Sequence, residues 1–218
     1  MNRREFLQLF PFIFLPPRSE ELLGKRRPKL DKFGFRPKAG EAFRDMQADA
    51  RKDGIHIYPV STYRDFWHQL RIWNKKYRKY GDVQKVIEYT AIPGTSRHHW
   101  GTEVDLIDPR IKLRDPLSSQ YFESGPFSEL YLWLKKNAKK YGFYEVYDKR
   151  PERKGFKWEP WHWSFSEESV PCLKQFLYLD LKIHLKDPEI LGSENFDQEF
   201  LTKYKQDYIL GINPKLMP

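Results

Sequence analysis

One cysteine, Cys172, stands in a chain of 218 residues. That single fact closes two routes to a fold. No intrachain disulfide can form, and no multi-cysteine metal site can be built. The chain must hold itself together by burying apolar surface, which a chain of this length does without covalent staples. Any metal must be held by histidine and carboxylate. Cys172 lies in an apolar stretch and is predicted to be a small core residue. Material for a core is present: 7 Trp, 13 Tyr and 16 Phe make 17% of the chain aromatic, which excludes a disordered polypeptide. A charged fraction of 32% and a mean hydropathy of −0.78 exclude a polytopic membrane protein. Lys and Arg outnumber Asp and Glu by 39 to 30, a net charge of +9. Such a balance favours anionic partners (nucleic acid, acidic lipid, an anionic cell-wall polymer) or is a solvated basic surface.

Four stretches divide the chain. Residues 1–17 open with Arg3-Arg4 and continue into the apolar run Leu7 to Leu15. Nine residues are too few for a helix across a bilayer, but they suit the apolar region of an export signal. Arg3-Arg4-Glu5-Phe6-Leu7 resembles the twin-arginine export signal; no small-x-small cleavage site follows, and an apolar arm is the alternative. Residues 18–40, with Lys25-Arg26-Arg27-Pro28-Lys29, are expected to be an exposed basic linker. Residues 41–168 alternate helical and strand signals, and 169–218 form a helical extension. Phe43, Met46 and Ala50 share one helical face that Gly54 ends. Ile55 to Val60 alternates as a strand does. Asp65 caps a helix carrying Phe66, Leu70, Trp73 and Tyr77 on one side, and Ser128 caps another carrying Leu130, Trp133, Leu134, Ala138 and Tyr141. Glu103 to Ile107, Phe143 to Tyr147 and Trp161 to Phe165 are three further strand candidates, and a short helix is expected near 197–208. The order predicts an α+β domain with helices packed on a small, mostly antiparallel sheet.

Chemistry concentrates in Ser96-Arg97-His98-His99-Trp100-Gly101-Thr102-Glu103-Val104-Asp105 and in Glu159-Pro160-Trp161-His162-Trp163. Two imidazoles and a carboxylate, from His98, Asp105 and His162, suit a zinc ion with a fourth position open to water. A carboxylate beside such a site, here Glu159, has the chemistry of a general base and acid. Gly101 permits a tight turn between His98 and Asp105. Pro160 fixes the backbone between Glu159 and His162, which would let both side chains face one cavity, whereas pure strand alternation would separate i and i+3. His99 competes with His98 as a ligand on residue type alone.

The first segment resembles the Ser-x-His-x-x-Gly-x-x-x-Asp motif of VanY-type D-alanyl-D-alanine carboxypeptidases, and the second resembles their Glu-Pro-Trp-His motif. Ser61-Thr62-Tyr63-Arg64 with Gln69, and Trp133-Leu134-Lys135-Lys136-Asn137-Ala138 through Tyr141-Gly142-Phe143, are similar to two further blocks of that family, in its order. The resemblance implies a fold shared with lysostaphin-like peptidases and the Hedgehog signalling domain. It implies zinc held by His98, Asp105 and His162, with Glu159 as catalytic base. It makes Arg64 the group that stabilises the developing oxyanion, a task that suits a permanently charged guanidinium. Ser96, Gln69 and Tyr63 become candidate substrate contacts. Glu103 departs from the pattern, since many relatives carry a small residue there; it either faces solvent or adds negative charge near the metal. Trp163-Ser164-Phe165 also departs, which bears on substrate preference more than on the metal.

The expected activity is zinc-dependent hydrolysis of the terminal D-alanyl-D-alanine bond of peptidoglycan stem peptides by an exported, periplasmic or envelope-associated enzyme. Anionic envelope polymers are a second candidate partner. A related L,D-carboxypeptidase, a peptidoglycan endopeptidase and a non-catalytic zinc-binding module of the same fold are the alternatives; the pair Glu159 and Arg64 argues against the last. No helix-turn-helix, zinc-finger or RNA-recognition motif is present, so specific nucleic-acid binding is not expected.

Overall fold

The structure, a computed structural model, describes residues 18–218; the export signal expected over residues 1–17 lies outside them. Nine α-helices and four strands follow in the order α1 (Ser19–Leu22), α2 (Pro37–Lys52), β1 (Tyr58–Ser61), α3 (Phe66–Tyr80), α4 (Val83–Ile87), β2 (Glu103–Ile107), α5 (Gln120–Glu123), α6 (Ser128–Asn137), β3 (Phe143–Glu145), β4 (His162–Phe165), α7 (Ser166–Phe176), α8 (Leu181–Leu185) and α9 (Gln198–Tyr204) among the described residues. The strands form one sheet in the order β1-β2-β4-β3, with every neighbouring pair antiparallel. The α+β expectation holds.

Local chemistry sets most element boundaries. Pro37 opens α2 at its first turn, where a missing N–H costs nothing. Phe43, Met46 and Ala50 are buried on its inner face. Asp65 caps α3 by accepting the N–H of His68 at 2.7 Å, and Gly81 ends that helix at φ 62°. Two expectations shift. Ser128 is the first residue of α6 and makes no capping bond; the cap position belongs to Phe127. The first strand starts at Tyr58 rather than Ile55, because the Ile57 carbonyl is taken by the Gln47 side chain at 2.7 Å instead of a neighbouring strand.

Alternation along the two central strands separates core from site. Val104 and Leu106 of β2, with Trp163 and Phe165 of β4, join an apolar cluster with Phe43 and Met46 of α2 and Leu130 and Leu134 of α6. Glu103 and Asp105 fall on the opposite face of β2, as His162 and Ser164 do on β4. The register pairs them: Glu103 lies opposite Ser164, and Asp105 opposite His162. A second apolar cluster unites α3, α4 and the helices from α7 onward, with Trp73, Ile87, Leu173, Leu185, Leu201 and Tyr204. Cys172 is buried there. Along the basic segment, Lys25, Arg26, Arg27 and Lys29 are exposed, while Leu22, Leu23 and Phe35 on either side are core residues.

The extension closes over this second cluster. Phe196, Phe200, Tyr204 and Tyr208, each four residues from the last, stack with ring centroids 5.0, 6.0 and 5.1 Å apart. The Tyr204 hydroxyl lies 2.8 Å from Thr95 Oγ1 and accepts the N–H of Ile92 at 3.2 Å. The C-terminal segment thus braces the loop that leads into His98.

Candidate active site

His98 sits in a 3-10 turn, Arg97–Trp100, that Gly101 closes at φ 70°. A Cβ on Gly101 would lie 2.5 Å from Leu30 Cδ2, so the turn that links His98 to β2 demands glycine. His98 Nδ1 lies 2.6 Å from the Thr62 carbonyl. Only a protonated nitrogen can face a carbonyl, so Nδ1 donates and Nε2 is left with its lone pair. That Nε2 is 3.5 Å from Asp105 Oδ2. The His98 and His162 ring centroids are 4.7 Å apart.

His98, Asp105 and His162 each offer a ligand atom, all within 4.8 Å of one another. All three are buried. Asp105 Oδ1 has no hydrogen-bond partner among the described residues. A buried acceptor left without a donor is costly unless a cation completes it. The donor set of two imidazoles and one carboxylate is that of a zinc site with an open position. The residues therefore fit a metal ion.

The chain turns at Pro160. The His162 N–H donates to the Glu159 carbonyl at 3.0 Å, which folds the i and i+3 side chains onto one side. Glu159 Oε2 lies 3.1 Å from His162 Nδ1. Across the site, Arg64 donates to Gln69 Oε1 at 2.8 Å and to Ser61 Oγ at 3.0 Å, with Nη2 4.0 Å from Asp105 Oδ2. A register shift in β1 between Pro59 and Ser61 places Ser61 opposite Asp105, which aims its hydroxyl at Arg64. Gln69 is buried, and its amide nitrogen donates to the Ala91 carbonyl at 2.7 Å. Gln69 therefore holds Arg64 in place.

A cavity of about 520 Å3 opens in front of these groups, lined by Arg64, Ser96, His98, Asp105, Glu159 and His162 together with Lys76 and Trp161. Tyr63 is not among its lining residues; its ring lies beneath Arg27, 5.7 Å from the guanidinium. Arg64 lines the cavity, whereas Tyr63 packs beside Arg27. Lys76 was missed in the sequence, where it is one of many lysines on a helix; it donates to Thr90 Oγ1 at 2.6 Å. Burial pulls its ammonium pKa below the usual lysine range, against the opposing pull of Glu159.

The competing histidine is excluded by its bonds. His99 Nδ1 donates to the Arg64 carbonyl at 2.6 Å, and its Nε2 accepts the Gly94 N–H at 3.1 Å. Both nitrogens are used, and the ring is fully buried. Burial pushes its pKa down to about 3, so it stays neutral. Gly24 packs against it so closely that a Cβ would sit 2.4 Å from Nδ1.

Glu103 does not face solvent. It is fully buried, 3.1 Å through Oε2 from His162 Nε2. Burial alone would raise its pKa, but Arg97 and His162 outweigh that and bring it down to about 2. Burial alone would lower the pKa of His162; the hydrogen bonds of Glu103 and Glu159 and the charge of Asp105 carry it up to about 10 instead. Each ring nitrogen of His162 thus faces a carboxylate, Nδ1 toward Glu159 and Nε2 toward Glu103. Trp100 and Trp163 are core residues.

The family model of the VanY D-alanyl-D-alanine carboxypeptidases matches residues 32–168, which takes in every residue of this site. The chain belongs to this family. Among curated relatives, YodJ of Bacillus subtilis (strain 168) is 31% identical over 137 residues, 62% of this chain and 47% of that protein. The D-alanyl-D-alanine carboxypeptidase of Enterococcus faecalis (strain ATCC 700802 / V583) is 30% identical over 130 residues, 56% of this chain and 44% of that protein. This VanY-type chain thus spans less than half the length of either. A solved structure of the VanY D,D-pentapeptidase from a VanB-type resistance cassette, a variant in complex with Zn(II), is 25% identical with a TM-score of 0.50, covering 66% of this chain and 83% of that one. The LdcB LD-carboxypeptidase shares the fold at a TM-score of 0.55 and 24% identity, over 75% of this chain and 80% of that one.

Proposed function

We propose that this VanY-type chain is a zinc-dependent D-alanyl-D-alanine carboxypeptidase acting on peptidoglycan stem peptides. One observation carries the reading: Glu159, a His98–Asp105–His162 ligand set and the Arg64 guanidinium converge on one cavity. The relatives' substrate enters through the family, one of whose members has been solved in complex with D-alanine-D-alanine.

Zinc held by His98, Asp105 and His162 would supply water activation and carbonyl polarisation at neutral pH. The chain's own residues do the rest. Glu159 lines the cavity beside His162; it accepts the proton of the attacking water and returns it to the leaving amine. Arg64, held by Ser61 and Gln69, donates to the oxygen on which negative charge grows. Its two anchoring bonds fix the guanidinium before substrate arrives, which lowers the cost of orientation. Ser96 and Lys76 line the same cavity and are placed to meet the polar ends of the peptide, Lys76 offering a cation to a carboxylate. Trp161 supplies an apolar wall. An enzyme with this substrate works outside the cytoplasmic membrane, so the Arg3-Arg4 segment is proposed to direct export. Among the described residues no helix is long and apolar enough to cross a membrane.

The test is product analysis of a purified muropeptide pentapeptide, with and without a chelator. Release of one terminal alanine, blocked by the chelator and restored by zinc, is the expected result. Cleavage of the tetrapeptide in place of the pentapeptide would reassign the chain as an L,D-carboxypeptidase. No cleavage of either, with one zinc bound per chain, would overturn the exopeptidase reading.

A further inference from the structure

Glu103 is a buried carboxylate beside His162, and its two oxygens are used in different ways. Oε1 takes three donors: Ser164 Oγ at 2.7 Å, Thr102 Oγ1 at 3.0 Å and Arg97 Nη2 at 3.2 Å. Arg97 Nη2 also donates to Ser164 Oγ at 3.0 Å, and its guanidinium lies over the Trp100 ring at 4.7 Å. Ser164 is tied in turn to Ser169 Oγ at 2.8 Å. Glu103, Arg97 and Ser164 are all buried. Oε2 is left for one partner, His162 Nε2 at 3.1 Å.

We propose that Glu103 is a positioning residue that holds His162 in the Nε2–H tautomer and so presents Nδ1 to the metal. An ionised carboxylate only accepts, so the imidazole nitrogen facing it carries the hydrogen. A neutral imidazole then has its lone pair on Nδ1, the edge that faces Glu159 and the cavity. Arg97 and Ser164 fix the carboxylate, and with it the ring plane. The two histidines are thereby locked in opposite senses. A backbone carbonyl holds His98 by Nδ1 and leaves Nε2; a buried carboxylate holds His162 by Nε2 and leaves Nδ1. A carboxylate behind a ligating histidine also raises the basicity of the ligand.

The inference rests on the zinc reading above, and the experiment separates the two. Zinc affinity is measured by competition with a chromophoric chelator for the unsubstituted protein, E103Q and S164A, alongside thermal unfolding of each zinc-free protein. In E103Q the amide oxygen must accept from Arg97, which turns an N–H toward His162 and favours the wrong tautomer. Its zinc affinity is expected to fall about 10–100-fold, the usual cost of losing a partner behind a ligand. S164A keeps the carboxylate but removes one of the three donors to its Oε1, so its zinc affinity is expected to fall by less than that of E103Q. A merely structural role would lower the unfolding temperature of E103Q and leave the affinity of the folded protein unchanged, which overturns the proposal. Nitrogen-15 NMR of the histidines in the zinc-loaded, unsubstituted protein gives a readout independent of any variant: His162 should show a protonated Nε2 and a metal-bound Nδ1. The reverse assignment overturns the proposal alone. Failure of the unsubstituted protein to bind zinc overturns both readings.

Discussion

The β2–β4 shelf and the C-terminal cover stabilise the same loop by different physics. The shelf lies within the stretch matched by the family, residues 32–168. It is polar, and both candidate ligand histidines have a second ring nitrogen tied down: His98 by the Thr62 carbonyl, His162 by Glu103, with Arg64 tied by Gln69 and Ser61. The cover, from about residue 169, lies beyond that match. It works through buried apolar area and a stacked column of aromatic rings. The two meet at residues 92–99, where Tyr204 grips Ile92 and Thr95 a few residues before His98. The difference predicts a division of labour. Damage to the shelf should change metal binding and rate while the protein stays folded; damage to the cover should change stability first.

The sharpest way to break that division is to delete residues 197–218. The deletion removes Leu201, Tyr204, Ile209, Ile212 and Leu216 from the core. Fully burying each is worth about 1.5–3 kcal/mol, so their sum is comparable with the roughly 5–15 kcal/mol that holds an ordinary domain folded. Calorimetry is expected to show no cooperative transition. A truncated chain that still unfolds cooperatively and binds zinc would show the cover to be dispensable. Within the shelf, Glu159→Gln is expected to lower kcat by about 10²–10⁴, the range of a general acid–base contribution. Its zinc affinity and unfolding temperature should stay close to those of the unsubstituted protein. His162→Ala is expected to lose zinc as well as activity, measured by metal analysis of the folded protein. Full activity in either variant would remove the proposed mechanism.

The sequence disclosed the shelf far better than the cover, for physical reasons. A zinc site needs particular atoms, so His98, Asp105, Glu159 and His162 are legible as residue types at fixed spacings. Strand alternation places Asp105 opposite His162 only once the register is known, and the turn that turns Glu159 back onto His162 depends on one backbone bond. Tyr63 illustrates the limit: it neighbours Arg64 in sequence, yet Arg64 lines the cavity and Tyr63 packs beside Arg27, which composition does not encode. Lys76 is the opposite case. One lysine among several on α3 becomes a cavity residue only because the helix turns it inward. Glu103 looked anomalous in sequence; Arg97 lies in its own segment, but Ser164 and His162 come from β4, so the arrangement around it needed the fold. The apolar residues of the cover announce helix and burial, but not what they bury against.

Tyr204→Phe tests the join more gently. It removes the hydroxyl from Thr95 and leaves the buried Ile92 N–H without its acceptor. The expected cost is about 1–3 kcal/mol, the penalty for an unsatisfied buried donor, read as a shift in urea midpoint at unchanged slope. Zinc affinity should move much less than in E103Q; an equal loss would mean that the cover, too, sets the ligand geometry.

The pH dependence of the zinc-free protein gives the finest distinction, because His99, Glu103 and His162, on the shelf and the loop beside it, are perturbed between acid and mildly alkaline pH. Burial raises the pKa of the Tyr204 phenol, so the cover's central hydroxyl stays neutral throughout. On the acid side, the unfolded chain protonates His99 near 6.5, whereas the folded protein refuses that proton until about pH 3. The unfolded state therefore binds more protons, and stability falls as pH drops from 6.5 toward 3. Glu103, ordinarily near 4.5 and held at about 2, adds a second loss below pH 4.5, since its stabilising pairs vanish as it is protonated. On the alkaline side the sign reverses. His162, ordinarily near 6.5, keeps its proton in the folded state up to about pH 10. Its contribution is complete below pH 6.5 and is lost as pH rises toward 10. The unfolding temperature of the zinc-free protein should therefore decline on both sides of about pH 6.5, the unfolded histidine value. Tyr204→Phe should lower that curve without changing its shape, whereas His99→Gln should flatten the limb between pH 6.5 and 3. Zinc requires His162 to give up its Nδ1 proton, so its affinity should climb with pH over the window in which the zinc-free protein loses stability. A metal affinity independent of pH between 6.5 and 9 would mean that His162 carries no such proton, and that the two carboxylates flanking it do not act on it as their distances imply.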